Sequence, residues 1–225
     1  TDAQVDRLAD ALTALTSTEA MAEKYDVHGV APLLFAVGDG NHSLATAKTC
    51  YEELKKVTPQ EQWADLPARY ALVEIENLHD DALQFEAIHR VIFGADPAHF
   101  MEAFKKAYPN AQEGKGEGHV IEVVWPGHDG FITVPDPKVQ LAVGTLQSFL
   151  DGYLKENGIE VDYIHGDEIT RQLGSKPGNM GFLLPARGKD QLLKTVIADG
   201  VLPRKTFSMG HAEDKRYYVE ARKIK

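Results

Sequence analysis

An apolar run from Val30 to Val37 gives way to Gly38-Asp39-Gly40-Asn41-His42-Ser43, and a helical pattern then runs to about Lys56. No other stretch constrains the fold as much. A continuous apolar run predicts a strand buried on both faces. Gly38 and Gly40 permit backbone angles that other residues resist, so the chain can turn sharply. The helix that follows aims its first N–H groups at the turn, an arrangement that suits an anion, most often a phosphate. Leu44, Ala47, Tyr51 and Leu54 form one apolar stripe along this helix. Lys55 and Lys56 complement its dipole at the C-terminal end, and Pro59 stops it.

The turn also carries chemistry. Asp39 can accept a proton or hold a magnesium ion that bridges phosphates. His42 can donate to a phosphate oxygen or act as acid or base near neutral pH. Gly38, Gly40, Asn41 and Ser43 supply the phosphate- or nucleotide-binding backbone, and Asn41 or Ser43 can cap the helix. Ordinary turn and cap chemistry uses the same residue types, so the residues alone leave both readings open.

Two further groups stand out. His89-Arg90 interrupts the apolar segment Gln84–Phe93, where charge is costly unless satisfied. Arg90 could fork onto a phosphate or carboxylate, or pair with a surface acid at a strand end. Pro203-Arg204-Lys205-Thr206-Phe207-Ser208 places cations beside hydroxyls. Lys205, Thr206 and Ser208 are therefore candidate substrate-binding residues alongside His89 and Arg90; a solvated loop is the alternative.

The rest of the chain alternates helices and strands. Helices are predicted near 2–24, 97–108, 141–158, 167–173 and 189–199. Strands are predicted at 70–75, 84–93, 161–164, 182–184 and 217–221. A hairpin with a longer turn joins 120–125 to 131–134. The fold class expected is α/β or α+β, a mixed sheet flanked by helices. One domain over 1–225 is expected, with a subdivision into 1–110 and 111–225 as the alternative. The chain starts at Thr1 and enters a helix at once, which reads as the C-terminal fragment of a longer protein.

Composition narrows the function. The net charge of −10 disfavours nucleic acid as a partner. No apolar stretch is long enough to span a membrane. The single cysteine, Cys50, excludes an internal disulfide, fits a cytoplasmic setting and reads as a small core residue. The other histidines form no zinc pattern, so a zinc site is not expected.

In this order, Asp39-Gly40-Asn41-His42-Ser43, Ile88-His89-Arg90, Gly181-Phe182-Leu183-Leu184-Pro185 and Pro203-Arg204-Lys205-Thr206-Phe207 resemble a bacterial family, domain of unknown function one thousand and fifteen. Its members are longer at the N-terminus and carry an Asp-Gly-His-His-Arg-like loop between a strand and a helix. More distantly, the loop resembles that of the ParB/sulfiredoxin fold, which includes a free serine kinase. This likeness implies a ParB/sulfiredoxin-like loop-helix unit plus a C-terminal α/β portion, with a nucleotide phosphate at the helix start. Two departures count. Sulfiredoxin's catalytic cysteine would fall at Asn41, which argues against sulfinic-acid reduction. Ser43 stands where an arginine is usual, which removes one phosphate fork.

The resemblance implies a phosphoryl-transfer or phosphate-ester enzyme, kinase- or phosphatase-type, acting on a small metabolite. Family context suggests serine or phosphoserine. Asp39 and His42 would be catalytic, and ATP or ADP with Mg²⁺ the cofactor. A nucleotide-binding regulatory module without catalysis is the alternative, and a ParB-like DNA-binding role ranks below both. The ligand expected is a small phosphorylated or amino-acid molecule, and a homo-oligomer is compatible with everything above.

Overall fold

The computed structural model describes residues 1–186 and 188–209. The chain forms two compact units. The first takes Thr1–Leu33 and Gln84–Ser208; the second takes Leu34–Leu83 and, of the described C-terminal residues, Met209. The divisions therefore fall near residues 33, 83 and 208.

The first unit opens with helices α1 (Asp2–Ala14) and α2 (Thr18–Tyr25). One continuous helix to residue 24 was expected. Ser17 breaks it by turning its hydroxyl to accept the Ala20 N–H at 3.0 Å, so a new helix starts there. No residue of α1 is buried, whereas Met21 and Tyr25 of α2 are.

The sheet of this unit is built from β1 (Phe85–Phe93), β2 (Gln112–Glu113), β3 (His119–Trp125), β4 (His128–Val134), β5 (Glu160–His165), β6 (Asn179–Leu183) and β7 (Phe207–Met209). The strand order is β2-β4-β3-β6-β1-β5, and β7 also pairs with β1. β1 runs antiparallel to both β5 and β6, and β3 antiparallel to β4 and β6. The predicted hairpin exists with a shorter turn. Trp125 pairs with His128, so only Pro126-Gly127 remain in the loop. Proline pre-sets the first turn angle, and Gly127 takes φ 78° at the second.

Four more helices complete the unit. Asp96 caps α4 (Pro97–Ala107) by accepting the His99 N–H at 3.0 Å, with proline at the first helical position. Gly158 ends α5 (Ala142–Asn157) at φ 63°. α6 is Asp167–Gly174 and α7 is Asp190–Asp199. The core gathers Phe100 and Phe104 of α4, Leu146 and Leu150 of α5, and Ile92, Ile121, Val123, Met180 and Phe182 of the sheet. These side chains are removed from water almost completely, which is the main favourable term in folding this unit.

The second unit is built around α3 (Asn41–Lys55), followed by the 3-10 helices Gln60–Asp65 and Pro67–Arg69. The stripe Leu44, Ala47, Tyr51 and Leu54 is half-buried, as the helical period required. Trp63 donates its indole N–H to the Thr58 carbonyl at 2.9 Å, and the Lys55 ammonium sits 4.6 Å from its ring centre. Cys50 is exposed, not a core residue, because it lies off that stripe.

Two predicted strands do not form. Residues 31–39 are irregular, and Phe35 and Val37 are each 53% exposed. Tyr70–Ile75 is likewise irregular and exposed. Apolarity favours a strand only where a neighbour supplies ladder partners, and the described residues provide none; Pro32 also removes a donor from the first run. The strand expected at 217–221 lies outside the described residues. No helix among the described residues is long and apolar enough to cross a membrane.

Candidate functional site

In the second unit the loop before α3 keeps the turn and the helix start its sequence suggested, without the strand before them or a side-chain cap. Gly40 occupies the N-cap position at φ 74°, in the left-handed region that favours glycine. No side chain caps the helix there, so neither Asn41 nor Ser43 plays that part. The end of α3 thus presents uncapped backbone donors, and Asn41, His42 and Ser43 around it are exposed. Asp39 is exposed and accepts the Gly40 N–H at 2.8 Å, which holds its carboxylate beside the helix start. A Cβ at Gly38 would lie 3.0 Å from Met209 Cε, the tip of a flexible side chain.

A magnesium ion is the group this loop was expected to hold. Among the described residues no cluster of three or more His, Cys, Asp or Glu side chains forms a metal site. Asp39 fits magnesium only in the manner of nucleotide sites, where one or two carboxylates share the ion with phosphate oxygens.

In the first unit His89 and Arg90 sit side by side on β1 and both are buried. His89 is fully engaged. Its Nδ1 accepts the Leu184 N–H at 3.1 Å, so the ring proton resides on Nε2 and is donated to Asp167 at 2.8 Å. Burial depresses the imidazole pKa, partly offset by Asp167, and the ring is neutral at pH 7.

Arg90 is the largest fully buried side chain, at 0% exposure. It donates from Nε to Gln147 Oε1 at 3.3 Å, from Nη1 to the Ile88 carbonyl and from Nη2 to the Arg204 carbonyl at 3.1 Å. No ion pair joins it to an acid among the described residues. Burial lowers its pKa to about 10, so the guanidinium stays charged. The sheet register places Arg90 opposite Tyr163 of β5, and the guanidinium lies 5.1 Å from that ring's centre.

The C-terminal motif forms a turn in the same unit. Thr206 donates its hydroxyl to the Pro203 carbonyl at 2.5 Å, and Lys205 takes φ 55°, uncommon outside glycine. Lys205 is exposed, while Thr206 and Ser208 are half-buried. Thr206 also lines a largely apolar cavity of about 40 Å³ with Phe85, Leu141, Leu184, Leu192 and Phe207. Phe85 and Phe207 stack there, with ring centres 4.5 Å apart.

Sequence reasoning passed over Tyr163, Gln147 and Asp167. Tyr163 and Asp167 are ordinary residues in their own segments, and only sheet pairing and helix placement bring them to β1. The buried cation in an apolar run was the one available signal that partners had to exist somewhere.

The described fold is an open antiparallel sheet flanked by helices, a mixed α/β architecture. Residues 2–223 match the family described as Protein of unknown function (DUF1015), and the chain belongs to that family. No curated protein matches it. Among solved structures it is similar to a variant of free serine kinase in complex with ADP, at 20% identity and a TM-score of 0.48. That match covers 68% of this chain and 66%, just under two thirds, of the kinase chain. A conserved hypothetical protein from Pyrococcus furiosus matches at 19% identity and a TM-score of 0.48, covering 69% of each chain.

Proposed function

We propose that the chain binds a phosphorylated small molecule at the loop Gly38–Ser43 and carries out phosphoryl transfer or phosphate-ester chemistry. The observation that carries this reading is the uncapped start of α3, with Gly40 at φ 74° and the Asp39 carboxylate tied to the Gly40 N–H. Backbone donors at a helix N-terminus suit a phosphate, and their dipole favours its charge.

Each residue then has a role. The N–H groups at the start of α3 and the Ser43 hydroxyl hold phosphate oxygens. His42, exposed beside them, donates a proton to an oxygen that gains charge. Asp39 accepts a proton from the attacking group. With a nucleotide present, Asp39 would also hold magnesium, which supplies charge neutralisation on the phosphates. In the first unit the reading gives a substrate oxyanion to Arg90, Lys205, Thr206 and Ser208. His89, with both nitrogens committed, is a positioning residue in it. The substrate we propose is a small metabolite, serine or phosphoserine by family context, with ATP or ADP as the nucleotide, in a cytoplasmic bacterial setting.

The test is calorimetry with ATP, ADP and phosphoserine, followed by a turnover assay with serine and ATP·Mg²⁺ and with phosphoserine. Asp39→Asn and His42→Ala are each expected to lower turnover by about 10²–10⁴-fold. Turnover and affinity unchanged in both variants would remove the loop from the mechanism. Tight binding with no product would make the chain a nucleotide-binding module instead.

A further inference from the structure

Three features of the first unit, two of them buried, bear on one place. A guanidinium has five N–H donors. Arg90 uses them on three acceptors, Gln147 Oε1 and the carbonyls of Ile88 and Arg204, so donor capacity remains inside a fully buried group. The Tyr163 hydroxyl oxygen is buried and has no hydrogen-bond partner among the described residues. The Arg204 guanidinium lies 5.7 Å from the Tyr163 ring centre, on the ring that Arg90 also approaches. Two guanidinium groups therefore share one aromatic ring. Neither makes an ion pair with an acid among the described residues.

Buried polar groups are almost always paired, and a buried charge without a counter-charge is expensive. Arg90 could have been stabilised by an acid on β5 or α5. It is met instead by two carbonyls, an amide oxygen and an aromatic ring, none of which carries the opposite charge. A route is present. An open cleft lined by Gln147, Ser148, Asp151, Val201, Pro203 and Arg204 reaches the Arg90 partners Gln147 and Arg204. Next to Arg204 in the chain stands the left-handed Lys205, a backbone conformation that a surrounding structure must hold in place.

We infer that Arg90, Arg204 and Tyr163 form a binding site for a small oxyanion of one or two charges, a carboxylate or a phosphate monoester group, entered through this cleft. The oxyanion replaces the Arg204 carbonyl on Arg90 Nη2, accepts from the Tyr163 hydroxyl and is covered by the Arg204 side chain. Asp151, which accepts from Gln147 Nε2 at 2.8 Å and lines the same cleft, holds the total charge down. Its carboxylate repels a polyphosphate more strongly than a single charge. This inference rests on the substrate-binding part of the reading above and adds Tyr163 and Arg204 to it; the chemistry of the loop is not required.

The test reads Arg90 directly. The assigned Arg90 Nε–H resonance of the full chain is followed by NMR while sodium acetate or sodium phosphate is added, with ionic strength held constant by chloride. A saturable shift is expected that the exposed Arg69 does not show. Saturation by acetate alone identifies a carboxylate ligand, and by phosphate alone a phosphate group; either supports the site. Arg204→Ala, an exposed position, is expected to weaken binding about tenfold, as for loss of one charge-assisted bond. Tyr163→Phe, which keeps the ring and removes only the hydroxyl, is expected to weaken it several-fold. An unsaturable drift shared with Arg69, or affinity unchanged in both variants, would overturn the inference. Loss of turnover effects in the Asp39 and His42 variants with this response intact would discard the loop and leave the oxyanion site standing.

Discussion

His89 shows how a single buried residue couples the fold to pH. Its two nitrogens tie β1 to the Leu184 backbone and to Asp167 at the start of α6. Protonation at Nδ1 would set a second N–H against the Leu184 N–H, and burial opposes the charge besides. The folded pKa lies below the ordinary value of 6.5, so the unfolded chain binds the proton first as pH falls. Stability from this group is fully present above about pH 6.5 and is lost as pH drops through the folded value. Urea midpoints measured from pH 8 to pH 5 should fall on the acid side, and His89→Gln should flatten that part of the curve. An equal acid slope in the variant would assign the effect to other groups. Arg90, its neighbour, remains charged throughout this range, so its contribution does not change there.

At the scale of elements, packing depends on places where side chains are absent. Gly174 closes α6 against β6, and a Cβ there would lie 2.6 Å from the Gly181 nitrogen and 2.8 Å from its Cα. Backbone cannot step aside as a flexible side chain can. Gly174→Ala should therefore destabilise the first unit by about 1–3 kcal/mol, read from urea unfolding. A change within error would show that α6 can shift away from the sheet. The helices differ in how they are anchored. α3 has no buried residue, whereas β1 buries Ile88 through Ile92. Native-state hydrogen exchange should be about 10²-fold faster in α3 than at the centre of β1, because local opening of α3 exposes little apolar surface. Equal protection of the two would contradict that account.

For the whole molecule, helices were more legible in the sequence than strands. Asp96-Pro97 marked the start of α4, Gly158 marked the end of α5, and the stripe from Leu44 to Leu54 marked the half-buried side of α3. Each signal acts within a turn or two of chain, so a local reading captured it. Ser17 was the exception, since its capping role splits one apparent helix into two. The candidate loop stood out because glycines, a carboxylate and an imidazole meet within six consecutive residues.

What the sequence alone determined, then, was helices α3 to α7, the caps at Asp96 and Gly158, and the glycine-flanked turn ahead of α3. Tertiary structure decided which apolar runs became strands and what surrounds the buried charge. Val30–Val37 and Gln84–Phe93 are both rich in apolar residues, yet among the described residues only the second finds strand partners, in β5 and β6. Likewise Arg90 meets Tyr163, Gln147 and Arg204 across separations of 57 to 114 residues for its hydrogen bonds to the last two. The physical reason is the same in both cases. A helix satisfies its backbone within itself, whereas a strand or a buried cation must be completed by residues far away in the chain.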